Sequence, residues 1–246
     1  MSISENVAAI RERIVAAARR AGRSPADVAL MAVTKTHPPE RIRAAYTAGL
    51  RLFGENRVQE FDAKAGALAD LAGVEWHMIG HLQTNKAGKA VELFNAVDSV
   101  DSAKLAEKLD AAAQHMGKKL SLLIEVNVGG EAAKSGVAPD SRELEELLLV
   151  APRFEALEFR GLMTVPPFTD DTERARPFFR QLRQLRDAIA ARNLPAIRMD
   201  VLSIGMSHDF EIAIEEGSTC VRVGTAIFGE RTKPSPRGTP GNTVEL

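Results

Sequence analysis

"MDVLSIGMSHDFEIAIEEGSTCVRVGTAIFG", Met199 to Gly229, carries two copies of one plan. A β-rich run, MDVLSIG (199–205), ends on glycine and gives way to a helix start. A second run, CVRVGTAIFG (220–229), repeats the pattern. Strands that alternate with helices pair in parallel, because each helix carries the chain back to the edge where the next strand begins. Toward the N-terminus the alternation recurs. The further strand candidates are VALMAVTK (28–35), RLFGE (51–55), EWHMIG (75–80), FNAVDSV (94–100), LSLLIEVNV (120–128) and EFRGLMTV (158–165), which makes eight in all.

Between these runs the apolar spacing becomes helical. After the first strand, Ile42, Ala45, Tyr46 and Gly49 share a face. After the fourth, Leu105, Leu109, Ala112 and Met116 do so, and Gly117 suits the C′ position. After the sixth, Phe178, Leu182, Leu185 and Ile189 repeat the pattern, with Pro177 in the first turns or at a kink. At the N-terminus Val7, Ile10, Ile14 and Ala17 mark an amphipathic helix. Eight strand–helix units in about 250 residues predict an α/β fold, a single (β/α)8 barrel of TIM type. Its site would lie at the C-terminal ends of the strands. A doubly wound open sheet is the alternative. The barrel with its N-terminal helix is expected over 1–230. The stretch RTKPSPRGTPGNTVEL (231–246), rich in Pro, Gly, Ser and Thr, is expected to be disordered.

The 246 residues are enough for a sizeable core. Apolar residues make up 45% and charged residues 26%, as in soluble globular proteins. A formal net charge of -1 gives no reason to expect a nucleic acid or an anionic membrane as partner. One cysteine, Cys220, excludes an intrachain disulfide and fits a reducing compartment, so a cytoplasmic location is expected. The first residues, MSISENVAAIRERIVAAARRAG, lack the apolar region of a secretory signal, and Glu5 and Glu12 argue against a transit peptide. No run approaches the roughly 18 apolar residues of a membrane span.

The residues at the strand ends carry the chemistry. Lys35 ends the first strand candidate among apolar neighbours. Desolvation lowers an amine's pKa, and a neutral amine attacks an aldehyde to form a Schiff base. A lysine snorkelling from a strand end reads the same way. Glu55, Asn56 and Arg57 follow the second strand; Asn56 suits a ligand hydroxyl or phenolate, or an N-cap. His77 lies in the third strand, followed by His81, Gln83 and Asn85. Nothing stands at metal-ligand spacing, so no metal site is expected. Lys134 belongs to the glycine-rich loop VNVGGEAAKSGV. Ser203, Ser207, Gly224 and Thr225 occupy the loops after strands seven and eight, where barrels often bind phosphate, although Ser and Thr also cap helices. Arg222 lies between Val221 and Val223, and a buried guanidinium needs an acceptor. A pyridine nitrogen or a barrel carboxylate would serve.

A Schiff-base lysine, a phosphate cup and an arginine on strand eight together suit pyridoxal 5′-phosphate. The motifs AVTKTHP, FGENRVQE, WHMIGHLQTNK, KSGV, RGLMTV, LSIGMSHDFEIAI and VRVGTAIFGER stand in order from Val28 to Arg231. In these the chain resembles the pyridoxal phosphate homeostasis protein family, also called the YggS/PROSC family. The resemblance implies a barrel like the N-terminal domain of alanine racemase. It implies Lys35 as Schiff-base lysine, Asn56 near the ring, and Ser207, Gly224 and Thr225 in the phosphate cup with Ser203 beside them. Arg222 would face the pyridine nitrogen, and Lys134 would assist cofactor loading or release. The implied role is a non-catalytic carrier or reservoir for vitamin B6 homeostasis, with pyridoxal phosphate-dependent apo-enzymes as recipients. A monomer is expected. The alternatives are a pyridoxal phosphate-dependent racemase or lyase, a phosphosugar aldolase using Lys35, and a structural protein.

Overall fold

The computed structural model describes residues 1–131 and 134–230, and in it all eight strand candidates form parallel strands closed in chain order. They are β1 Ala29–Val33, β2 Leu52–Glu55, β3 Glu75–Met78, β4 Ala96–Val100, β5 Leu120–Glu125, β6 Leu157–Met163, β7 Ile197–Ser203 and β8 Cys220–Val223. β8 returns to β1, with Arg222 opposite Met31. No sheet edge remains, so the open-sheet alternative falls. The tail, 231–246, lies outside the described residues.

Several strands stop short of their runs, and at β1 and β8 this bears on the site. β1 stops at Val33, and Lys35 stands in the turn beyond it rather than in the strand. β8 stops at Val223, and Thr225–Phe228 forms a short helix. Ile227 and Phe228 are apolar because they are buried beneath the next layer. A short apolar run cannot separate that situation from a strand.

The outer layer comprises α1 Ile3–Arg20, α2 Pro39–Thr47, α3 Val58–Ala65, α4 Ala87–Leu93, α5 Ala103–His115, α6 Arg142–Val150, α7 Arg176–Ala191, α8 Phe210–Glu215 and α9 Thr225–Phe228. α1 begins with a reciprocal capping box, Ser2 with Glu5, and buries Val7, Ile10, Ile14 and Ala17 as their spacing predicts. α7 has Pro177 in its first turn, where the missing N–H costs nothing. On α5 the buried face is rotated from the expected one. Ala106, Asp110 and Ala113 join Leu105 and Leu109, while Met116 is 41% exposed. Asp110 turns inward because its Oδ1 accepts the Ala156 N–H at 2.8 Å.

Phenylalanines Phe53, Phe94, Phe159, Phe179, Phe210 and Phe228 fill the core. Several polar groups lie on the strands. His77 Nδ1 meets Asp98 at 3.0 Å. Burial pushes the imidazole pKa down, but Asp98 and Glu75 outweigh it and raise the pKa to about 9. Glu125, Met163, Ser203 and Cys220 form a row across β5 to β8. Burial pushes the Cys220 thiol up to about 12, which makes it unreactive. Among the described residues, no helix is long and apolar enough to cross a membrane.

Candidate functional site

A cavity of about 340 Å³ opens at the C-terminal end of the barrel. Its wall includes Lys35, Asn56, Ser207, Arg222, Gly224 and Thr225. These come from the segments after β1, β2, β7 and β8 and from β8 itself. Ile79 and Met206 add apolar surface, and Val165 and Phe168 stand on the rim.

Lys35 is half-buried in a turn closed by the His37 N–H donating to Thr34 O at 3.1 Å. Asn56 does not cap α3: Arg57 holds the cap position, and no side chain bonds the helix start. Instead Asn56 Oδ1 is buried without a hydrogen-bond partner. Gly80 lets the loop after β3 lie against it, since a Cβ there would stand 2.4 Å from Asn56 O.

Arg222 is 3% exposed. One terminal nitrogen donates to Ser203 O and Ser203 Oγ, both at 2.7 Å, and the other to Thr164 O at 2.7 Å. The alternative of a barrel carboxylate is not realised: among the described residues, no carboxylate pairs with Arg222 within 4.0 Å. Burial pulls its pKa down, opposed by Cys220, Asp98, Glu125 and Asp209. A guanidinium keeps its charge under such pressure. Because carbonyls and one hydroxyl hold it, its charge stays uncompensated at close range.

Ser203 stands deeper than the other nominated residues. It is the last residue of β7, fully buried, and lies outside the cavity wall. Its hydroxyl accepts from the buried Arg222 guanidinium, since alternate side chains of a barrel strand point inward. Ser207 is the serine at the cavity. Its Oγ accepts from Gly224 N and Ala226 N, both at 3.3 Å, which joins the loops after β7 and β8. The chain turns back toward α8 at Gly205, whose φ is +92°, and a Cβ there would meet Ala213 Cβ at 2.5 Å.

Lys134 stands outside the cavity wall. It pairs with Glu131 at 2.9 Å and donates to Pro166 O at 3.2 Å, next to Val165 on the rim. His81 lines a neighbouring depression of about 740 Å³ with Gln83 and Lys86, and Asn56 borders both spaces.

Residues 6–232 match the family described as alanine racemase, N-terminal domain. The pyridoxal phosphate homeostasis protein of Aquifex aeolicus is 46% identical over 232 residues, covering 94% of this chain and 99% of that protein. The chain belongs to the pyridoxal phosphate homeostasis protein family. The Escherichia coli K12 member is 41% identical over 231 residues, covering 93% of this chain and 97% of its own length. The structure of PipY from Synechococcus elongatus, solved with PLP bound, aligns with a TM-score of 0.81 at 38% identity, over 93% of this chain and 100% of that one. Alanine racemase of Clostridium difficile aligns at 0.71 with 14% identity; this chain spans 58% of it, and the likeness is one of fold.

Several cavity and support residues of this pyridoxal phosphate homeostasis family member escape sequence reading. His208 lines the cavity, and its Nε2 is buried without a hydrogen bond. Its position beside Ser207 was the available signal. Thr164 supports Arg222 through a backbone oxygen, for which residue type carries no signal. Lys64 resembles any helical surface lysine, yet it is 8% exposed.

Proposed function

We propose that the chain binds pyridoxal 5′-phosphate in this cavity, holds it as a Schiff base on Lys35, and serves as a carrier or reservoir in cytoplasmic vitamin B6 homeostasis. The observation that carries this reading is a single wall bearing an amine, a buried guanidinium and the joined loops after β7 and β8. Asn56 Oδ1 and His208 Nε2 are buried without a hydrogen bond, although the latter lies 3.7 Å from Asp209, and a polar ligand would bond both.

The cofactor supplies an aldehyde that an amine can capture. Lys35 would be the residue whose amine holds that aldehyde covalently. The Ser207 hydroxyl and the backbone around Gly224 and Thr225 would accommodate the phosphate. Arg222, fixed by Ser203 and Thr164, would hold the ring nitrogen and disfavour its protonation. An unprotonated ring is a poorer electron sink, which suits storage better than transamination.

Racemisation needs a second base facing the first. Tyr46, the single tyrosine of the sequence, donates to Ala72 O at 3.2 Å with the Arg51 guanidinium 3.7 Å above its ring, away from the cavity. This supports the carrier over the racemase or lyase. Delivery to pyridoxal phosphate-dependent apo-enzymes follows from the same reading.

Borohydride reduction of the purified protein, then peptide mass mapping, tests the anchor. A pyridoxyl-phosphate adduct on Lys35 is expected, with none in a folded Lys35→Ala variant. A full-yield adduct in that variant would place the anchor on another lysine. D-amino-acid turnover at an ordinary enzymatic rate would establish the racemase instead.

A further inference from the structure

Resting on the reading of Lys35 as the anchor, we infer that Lys64 is a positioning residue: its buried ammonium, with the carboxylates of Glu55 and Glu60, sets the turn that aims Lys35 into the cavity.

The turn runs from Thr34 to His37. Lys64 Nζ donates to the carbonyls at both ends, Thr34 O at 3.0 Å and His37 O at 3.3 Å. Lys35 lies between these two fixed points. Beside it, Thr36 has a φ of 64°, a conformation that a residue with a branched Cβ adopts only when its surroundings impose it. Glu60 Oε1 accepts the Thr36 N–H and so holds that strained residue. Glu55, fully buried at the end of β2, accepts from the Thr34 hydroxyl and pairs with Lys64 at 2.8 Å. Glu60 pairs with the same ammonium at 3.4 Å.

A buried lysine is rare unless it is fully partnered, and a well-packed apolar residue often stabilises a fold as well or better. What the ionic cluster adds is direction. Four oxygens converge on one ammonium, and two of them are backbone atoms of the Lys35 turn. None of the three charged residues lines the Lys35 cavity, so they act through the turn. The His37 ring lies 4.4 Å from that of Phe228, which also links this turn to the helix after β8.

Two ligands separate aiming from folding. Pyridoxal 5′-phosphate requires the cup and Lys35; pyridoxine 5′-phosphate, an alcohol, requires the cup alone. Their binding is compared in the parent, in Glu55→Gln/Lys64→Met, which leaves no stranded carboxylate at Glu55, and in the milder Glu60→Ala. The double variant is expected to slow covalent capture about a hundredfold and Glu60→Ala about tenfold. Affinity for pyridoxine 5′-phosphate is expected to stay within about twofold in both. Equal losses for the two ligands would reduce Lys64 to a structural role and overturn the inference, as would unchanged capture. Should the double variant not fold, Glu60→Ala decides by the same comparison. Lys35→Ala serves as control. If it captures the aldehyde as the parent does, the anchor reading fails and this inference with it. Lost capture in Lys35→Ala beside normal capture in the Lys64 and Glu60 variants fails the inference alone.

Discussion

Glu125 shows how far one residue's chemistry is set by its surroundings. It ends β5, is 8% exposed, and its Oε2 has no hydrogen-bond partner. Burial raises its pKa from 4.5 to about 7; Asp101 adds to the rise and Arg222 opposes it. A carboxyl whose folded pKa exceeds its unfolded value favours the protonated folded state. Its contribution is whole below pH 4.5 and is lost as pH rises through about 7. The loss amounts to about 3 kcal/mol across that window. An amide of the same shape does not ionise. Glu125→Gln is therefore expected to exceed the parent's stability by about 2 kcal/mol near pH 8 and to match it near pH 5, measured by urea unfolding. A gain of equal size at both pH values would show that repacking, not ionisation, is responsible. In the sequence Glu125 was one more strand residue, because nothing local announces that Asp101 and Arg222 lie within its field.

Elements cooperate in a way the strand–helix alternation does not reveal. α1 precedes the barrel in the chain, yet Asn6 Nδ2 donates to Ile227 O at 2.9 Å in α9, the helix that follows Gly224. The Arg41 guanidinium of α2 reaches Phe228 O of the same helix. A four-residue helix has little stability of its own, so these contacts hold it. Asn6→Ala is expected to cost about 1 kcal/mol of global stability and to speed hydrogen exchange in Thr225–Phe228 more than in the β-strands. Uniform acceleration would mean that α1 braces the whole barrel and not α9 in particular. The existence of α1, α2, α5 and α7 was legible in apolar spacing. The end of β8 was not, since Thr225 to Phe228 is equally apolar in a strand or a buried helix. The rotated face of α5 was hidden too, because Asp110 is buried by a bond to Ala156 and not by hydrophobicity.

At the scale of the molecule, closure of β8 onto β1 removes the edges through which sheets associate. The chain is expected to sediment as one monomeric species over a wide concentration range. A mass that rises with concentration would point to association through an exposed helical face such as that of Leu149, which is 68% exposed. The sequence by itself determined the number of strand–helix units, hence the barrel, and it pointed to the end of the barrel where the cavity opens. It also nominated the amine, the arginine and the two glycine-bearing loops. Those are consequences of periodicity and residue type, which are local properties of the chain. Only the tertiary structure decided that Ser207 faces the cavity while Ser203 steadies Arg222, and that Arg222 rests on carbonyls rather than a carboxylate. It alone buried Lys64 beneath the Lys35 turn. These outcomes hang on bonds between residues far apart, 30 positions for Lys64 with Thr34 and 58 for Arg222 with Thr164. Closing the barrel converts such separations into contact, and no local pattern encodes which atoms will meet.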